Sequence, residues 1–204
     1  MKIKLTKGEL KRQRDALKQF QRYLPTLQLK KQQLQLEILQ QNLALREKKE
    51  LQAKKRQAID LWIGLLTDPR VKVNLFLKPE KILTHLKNIA GVDIPVFDAL
   101  EFGRIDYDLF AMPLWLDLAI AAFREMIILD KEILIRQEGV VILRQELRIT
   151  TQRVNLFEKV KIPLAEENIR LIKIYIGDQM ANAVGRSKIA KRKIEALILE
   201  EALA

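Results

Sequence analysis

Stepping alternately by three and four residues from Ile3 picks out Leu10, Leu17, Phe20, Leu24, Leu27, Leu34, Ile38, Leu45, Ile59, Trp62 and Leu66 in one register. The same steps meet polar residues at Thr6, Gln13, Lys31, Gln41, Lys48, Gln52 and Lys55. Apolar recurrence at this average spacing marks a coiled-coil seam. Leu29, Leu36 and Leu43 form a second stripe at heptad spacing. The run "LQLKKQQLQLEIL" alternates partly like a strand, but the heptad recurrence favours helix. Between Arg46 and Ala58, "REKKELQAKKRQA", the seam thins; a stutter near Leu51 with an exposed helix face is expected.

A second arm opens near Pro113, a residue suited to a first helical turn. From Leu129 the steps give Ile133, Val140, Leu143, Leu147, Val154, Phe157, Leu164, Leu171 and Tyr175, with polar interruptions at Arg136, Thr150, Lys161 and Asn168. The register passes Pro163 unchanged, because Phe157 and Leu164 are one heptad apart. Proline inside a helix removes a hydrogen bond and clashes with the preceding turn, at about 3 kcal/mol. A helix that ended there would have no reason to resume in phase, so a kinked but continuous helix is predicted.

The residues between the arms differ in kind. "KPEKILTHLKNIAG", Lys78 to Gly91, reads as a short helix stopped by Gly91. "VDIPVFDALEFG" alternates apolar and polar residues and is compatible with short strands or a β-hairpin, with Pro95 confined to an edge. The predicted fold is all-α dominated: a long antiparallel two-helix coiled-coil hairpin with a small mixed insert. Its divisions are an N-terminal coiled-coil helix (1–66), the insert (67–112) and a long C-terminal helix kinked near Pro163 (113–204). Pairing outward from the insert leaves about 25 to 30 C-terminal residues unmatched, an overhang of about 40 Å. That tail keeps an amphipathic pattern in Val184, Ile189, Ile194, Leu197 and Ile198, so its buried face must come from a partner.

Charge adds an asymmetry. Residues 1–57 carry 16 Lys/Arg against 5 Asp/Glu, and the rest of the chain carries 21 of each, so the net +11 belongs to the first arm. Such an arm suits nucleic acid or an acidic membrane surface, or else a solvated helix face or an acidic protein partner. Clustered aromatics for base stacking and a recognisable reading module are absent, which argues against nucleic acid. The start, "MKIKLTKGELKRQR", is charged too early for a signal peptide, and no apolar run is long enough to span a bilayer. A soluble, cytoplasmic chain is expected. The absence of cysteine excludes disulfides and thiolate metal sites.

Catalytic chemistry has no foothold. The glycines at 8, 64, 91, 103, 139, 177 and 185 are too scattered for a phosphate loop. His85 cannot build a His-rich metal site alone. Asp106 and Asp108 flank Tyr107 in a loop, where capping or solvent is their commoner role. No nucleophile–base set is present, so no catalytic, cofactor or metal residue is assigned. Trp62 and Trp115 are read as core where the arms meet the insert. Gly139, Gly177 and Gly185 weaken helix locally and allow bending or the close approach of another chain.

"RVNLFE", Arg153 to Glu158, followed after three residues by Ile162–Pro163, resembles the signature of the D subunit of V/A-type rotary ATPases. "PTLQLKKQQLQLEI" (Pro25–Ile38) and "NIAGVDIPVF" (Asn88–Phe97) are similar to that family's N-terminal helix and Gly-Val-x-x-Pro segment. The chain departs from the pattern at Pro25, commonly glycine, and in its tail. The resemblance implies a non-catalytic rotor shaft, peripheral to a membrane-bound complex, that couples ion flow to ATP synthesis or hydrolysis. Implied partners are the catalytic and regulatory nucleotide-binding subunits of a hexamer, a small central-stalk subunit and a membrane-ring adaptor. Arg186, Lys188, Lys191, Arg192 and Lys193 are the expected hexamer contacts. Val92, Ile94, Val96 and Phe97 are the expected contacts to the small stalk component. Arg153, Val154, Asn155, Glu158, Ile162 and Pro163 carry the signature. The competing reading is a free coiled-coil scaffold that binds acidic membrane or nucleic acid through its basic first arm.

Overall fold

The Thr6 hydroxyl accepts the Glu9 N–H at 3.3 Å, and the Thr6 carbonyl accepts the Leu10 N–H at 3.0 Å. The first bond satisfies a donor that the first turn of a helix otherwise leaves unpaired, and the second is the first intrahelical bond. From that cap, helix α1 runs Lys7–Asp60 and passes through Pro25. The computed structural model describes residues 4–64, 76–104 and 112–203, except the side chains of 197 and 199–203. Strands β1 (Pro79–Ile89) and β2 (Val92–Phe102) form an antiparallel pair. Helix α2 (Leu116–Leu156) leads through a five-residue π-helical turn (Phe157–Lys161) into α3 (Ile162–Leu203). The fold is therefore a helix-dominated coiled-coil hairpin with a small insert, as the periodicity predicts. Two compact units make it up: Leu29–Thr151, and Met1–Gln28 with Gln152–Ala204.

In the unit Leu29–Thr151, α1 and α2 pair antiparallel, since partners on α2 fall in number as those on α1 rise. Leu34 packs against Leu143, and both are buried. Cross-helix ion pairs follow the same register: Lys30–Glu146 at 2.8 Å, Lys48–Glu132 at 2.9 Å and Lys55–Glu125 at 2.6 Å. The stutter expected near Leu51 is not present. Lys48, Gln52 and Lys55 stay half-buried on the seam because α2 supplies Glu132, Asp130 and Glu125 opposite them. Long polar side chains lay their stems along the seam and end on carboxylates, so the heptad continues without apolar residues. The Leu29, Leu36 and Leu43 stripe lies outside this seam and is exposed.

The insert corrects the sequence reading at one element. Residues 79–89, expected within a short helix, form strand β1. Ile82, Leu86 and Ile89 have helical spacing, but pairing with β2 outweighs that weak local preference. Gly91, read as a helix stop, has φ 76 and sits beside Ala90 with φ 51. Two successive positive φ values make the two-residue turn that joins twisted antiparallel strands. Asn88 holds the turn: its Oδ1 accepts the Gly91 N–H at 3.1 Å and its Nδ2 donates to Asp93 at 2.6 Å. His85, now on a strand, meets Asp98 at 2.6 Å beside a bulge in the ladder. Pro95 pairs with Leu86, and a two-stranded ribbon consists only of edges, which tolerates a proline. Asp106, Tyr107 and Asp108 lie outside the described residues.

In the other unit, the N-terminal part of α1 pairs antiparallel with the segment from Gln152 onward. Phe20 meets Phe157 edge to face at 5.3 Å. Asn168 Nδ2 donates to Gln13 Oε1 at 3.5 Å. The backbone stays helical through Pro163, as predicted, but the seam does not keep its phase. Leu164 and Leu171 are 53% and 42% exposed, whereas Ala165 and Ile172 are 2% and 0% exposed. The cause is the π turn: the Ile162 N–H reaches the carbonyl of Phe157, five residues back rather than four. One extra residue in a turn rotates the following helix by about 100°.

Candidate functional site

From Lys173 onward every described side chain of α3 is exposed except Ile176, which is half-buried. Gln13, near the start of α1, already faces Asn168, so α1 is used up before α3 has run half its length. The seam nevertheless continues. Met180, Val184, Ile194 and Ile198 extend the Ile172–Ile176 line at helical spacing, and all four are exposed. Ile189 lies off that line. Arg186, Lys188, Lys191, Arg192 and Lys193 decorate the same stretch and are exposed. Lys191 reaches Glu195 at 3.7 Å on its own helix; no ion pair of the other four is present among the described residues. Nearby, Arg170 donates to Glu167 at 2.7 and 2.8 Å. That hydrogen bond holds the Glu167 carboxyl below its usual range, with the guanidinium charge adding to it.

The second face is the hairpin. Ile94 is buried against Leu34 and Leu143, with Val92 packed at the edge of the same cluster. Gly139 makes this seating close, since a Cβ there would lie 3.7 Å from Ile94 Cβ and from the Pro95 carbonyl oxygen. Val96 and Phe97 are half-buried and line an open cleft with Gln41, Glu132 and Arg136. Leu86, across the ladder from Pro95, is exposed. At the base of the hairpin, Arg124 donates to the Phe76 carbonyl at 3.1 Å and to the Gly103 carbonyl at 3.0 Å. Its guanidinium also covers the Phe102 ring at 4.7 Å. One side chain of α2 thus clamps the chain before β1 and after β2. Among the described residues no helix is long and apolar enough to cross a membrane, and no group of three or more acidic or imidazole side chains is placed to hold a metal ion.

The family model for the ATP synthase D subunit matches residues 9–192 of this chain. The chain belongs to the ATP synthase D-subunit family. The V-type ATP synthase D subunit of Borreliella burgdorferi is 46% identical over 193 residues, covering 95% of each chain. The proteins of the same name in Chlamydia caviae and Chlamydia pneumoniae are 36% and 34% identical, covering 95% and 96% of this chain and 94% of each relative.

In this member of the D-subunit family the signature residues surround the π turn. Val154 is buried in the seam and Ile162 is half-buried, while Arg153, Asn155, Glu158 and Pro163 face outward. The structure thus gathers the signature at one place, well apart in sequence from the five tail cations and from the hairpin residues. Ile94 serves its own chain's core, while Val92, Val96 and Phe97 are all half-buried. Trp62 meets Phe123 edge to face at 5.7 Å, and Trp115 packs on the buried Leu116–Ile120 pair. Arg124 escaped the sequence reading because a lone cation after an apolar run carries no periodic signal. The π turn escaped it because both phases of α3 are apolar.

Proposed function

We propose that this chain is the central-stalk, rotor-shaft component of a V-type ATP synthase, coupling ion translocation through the membrane ring to ATP synthesis or hydrolysis in the catalytic hexamer. The observation that carries the reading is family membership across nearly the whole chain. The unpartnered seam of α3 supports it, because Met180, Val184, Ile194 and Ile198 need an apolar surface from another protein of the complex. The chain itself does no chemistry in this reading and works on the cytoplasmic side as a peripheral part of the complex. The coiled-coil arms (1–66 and 113–204) transmit torque, since paired helices resist twisting better than one. The insert (67–112) faces the membrane side.

Arg186, Lys188, Lys191, Arg192 and Lys193 are assigned to the nucleotide-binding subunits, catalytic and regulatory, where carboxylates or carbonyls complete them. Val92, Val96 and Phe97 offer apolar contacts to the small central-stalk subunit, with Ile94 holding the hairpin in place behind them. A ring adaptor receives the insert end. The competing scaffold reading loses ground because Lys30, Lys48 and Lys55 of the basic arm already neutralise glutamates of α2. Co-expression with the hexamer and small stalk subunits tests the proposal. The tagged chain is expected to bring down a complex with both. Failure to do so, combined with salt-sensitive binding to anionic vesicles or DNA, would overturn it.

A further inference from the structure

We propose that the start of α3 has two seam registers one residue apart, exchanged through the wide turn at Phe157–Lys161, and that Pro163 holds it in the one observed. Two apolar lines run side by side here. One is Leu164, Leu171 and Tyr175, in unbroken heptad phase with Val154 and Phe157; the other is Ala165, Ile172 and Ile176, which the structure turns inward. Asn168 belongs to both lines and is buried, bonded to Gln13. A chain meant for one register has no need of bulky apolar residues at Leu164 and Leu171, exposed as they are.

The forces on the two registers oppose each other. In an unbroken α-helix the Pro163 ring would press on the Lys159 carbonyl. The π turn moves that carbonyl away, with the Ile162 N–H bonded to Phe157 instead. Against this, the α-helical register would bury Leu164 and Leu171 and restore the commoner turn. Space for the exchange exists. Leu164 and Ala165 both line an open cleft of about 770 Å³ against Ala16 and Phe20 of α1. Two packings of one sequence that differ by little form a bistable element. Passing between them removes one residue from the turn and rotates α3 beyond it by about 100°. The exposed Met180, Val184, Ile194 and Ile198 line would turn with it. In a shaft, that step is torsional give at a defined place.

The chain has no cysteine, so single-cysteine variants of the full chain report exposure directly by maleimide labelling. With Pro163 present, Leu171→Cys is expected to label at least about ten-fold faster than Ala165→Cys or Ile172→Cys. In the Pro163→Ala background the order should reverse. Deleting Val160 in the Pro163→Ala background takes the extra residue out of the chain itself, so a plain α-helix then points Ala165 and Ile172 inward again, and the original order should return with full helix content by circular dichroism. Leu143→Cys, buried in the other unit, should stay protected throughout. An unchanged labelling order in Pro163→Ala, or a reversed order that the further deletion of Val160 leaves in place, would overturn the proposal. So would equal labelling at 171 and 172 in Pro163→Ala, or release of Leu143→Cys, each of which means that no defined second register forms.

Discussion

Gly139 sits in the middle of α2, buried under the β-hairpin, and the natural assumption is that only glycine fits. The geometry says otherwise. A methyl at this position would meet Ile94 Cβ at 3.7 Å, the Pro95 carbonyl oxygen at 3.7 Å and Ile94 Cδ1 at 3.8 Å, which are ordinary van der Waals separations. Gly139→Ala therefore gains the helix preference of alanine, about 1 kcal/mol. It also buries one methyl, worth up to about 0.8 kcal/mol. The carbonyl neighbour takes back part of that. A net stabilisation of about 1 to 1.5 kcal/mol is expected, or about 2 to 6 °C in Tm for a chain of this size. Gly139→Leu has the opposite sign. Its branch atoms extend past a Cβ already in contact and push Ile94 off Leu34 and Leu143, at about 1 to 3 kcal/mol. Urea denaturation of the full chain, followed by circular dichroism, measures both. Destabilisation by alanine beyond about 0.5 kcal/mol, or tolerance of leucine, would refute the seating of the hairpin on Gly139.

Three further outcomes follow from the same packing. Ala90→Gly should stabilise the hairpin by about 1 kcal/mol, because Ala90 holds a positive φ that costs an L-residue about that much; thermal unfolding reads it. Glu132→Gln weakens contacts to both Lys48 and Arg136 and should cost about 1 kcal/mol, with the deficit shrinking in high salt. The Glu167 carboxyl should titrate below the usual carboxylate range by NMR and return to it in Arg170→Gln. Its folded pKa is depressed, so the pair's contribution is present above the unfolded carboxylate value and fades as pH falls through the folded one.

Legibility in the sequence followed the distance over which each feature is decided. The α1 seam could be read from Leu10 to Leu45, because each position repeats the same local geometry; from Lys48 to Lys55, where a stutter is expected, it continues only because α2 supplies carboxylates. The hairpin could be read only in its second half. In β1, Ile82, Leu86 and Ile89 satisfy helical spacing, and only the register with β2 makes them a strand. The tail cations were locatable as an unmatched stretch, since helix length is arithmetic. The clamp at Arg124 was not, because its partners, Phe76 and Gly103, are brought to it by the fold.

Heptad spacing was enough to establish that two long helices pair antiparallel and that the C-terminal end outruns its partner. Those outcomes need only the periodicity of an α-helix and the aversion of apolar faces to water. The backbone does continue through Pro163, but not in the unbroken phase that predicts it. Tertiary packing selected which of two adjacent apolar lines of α3 faces α1. Leu164 and Ala165, or Leu171 and Ile172, are near equals in a sequence pattern. The choice between them rests on one extra residue in the turn before Pro163 and on the packing of Phe20, Gln13 and Asn168 around it.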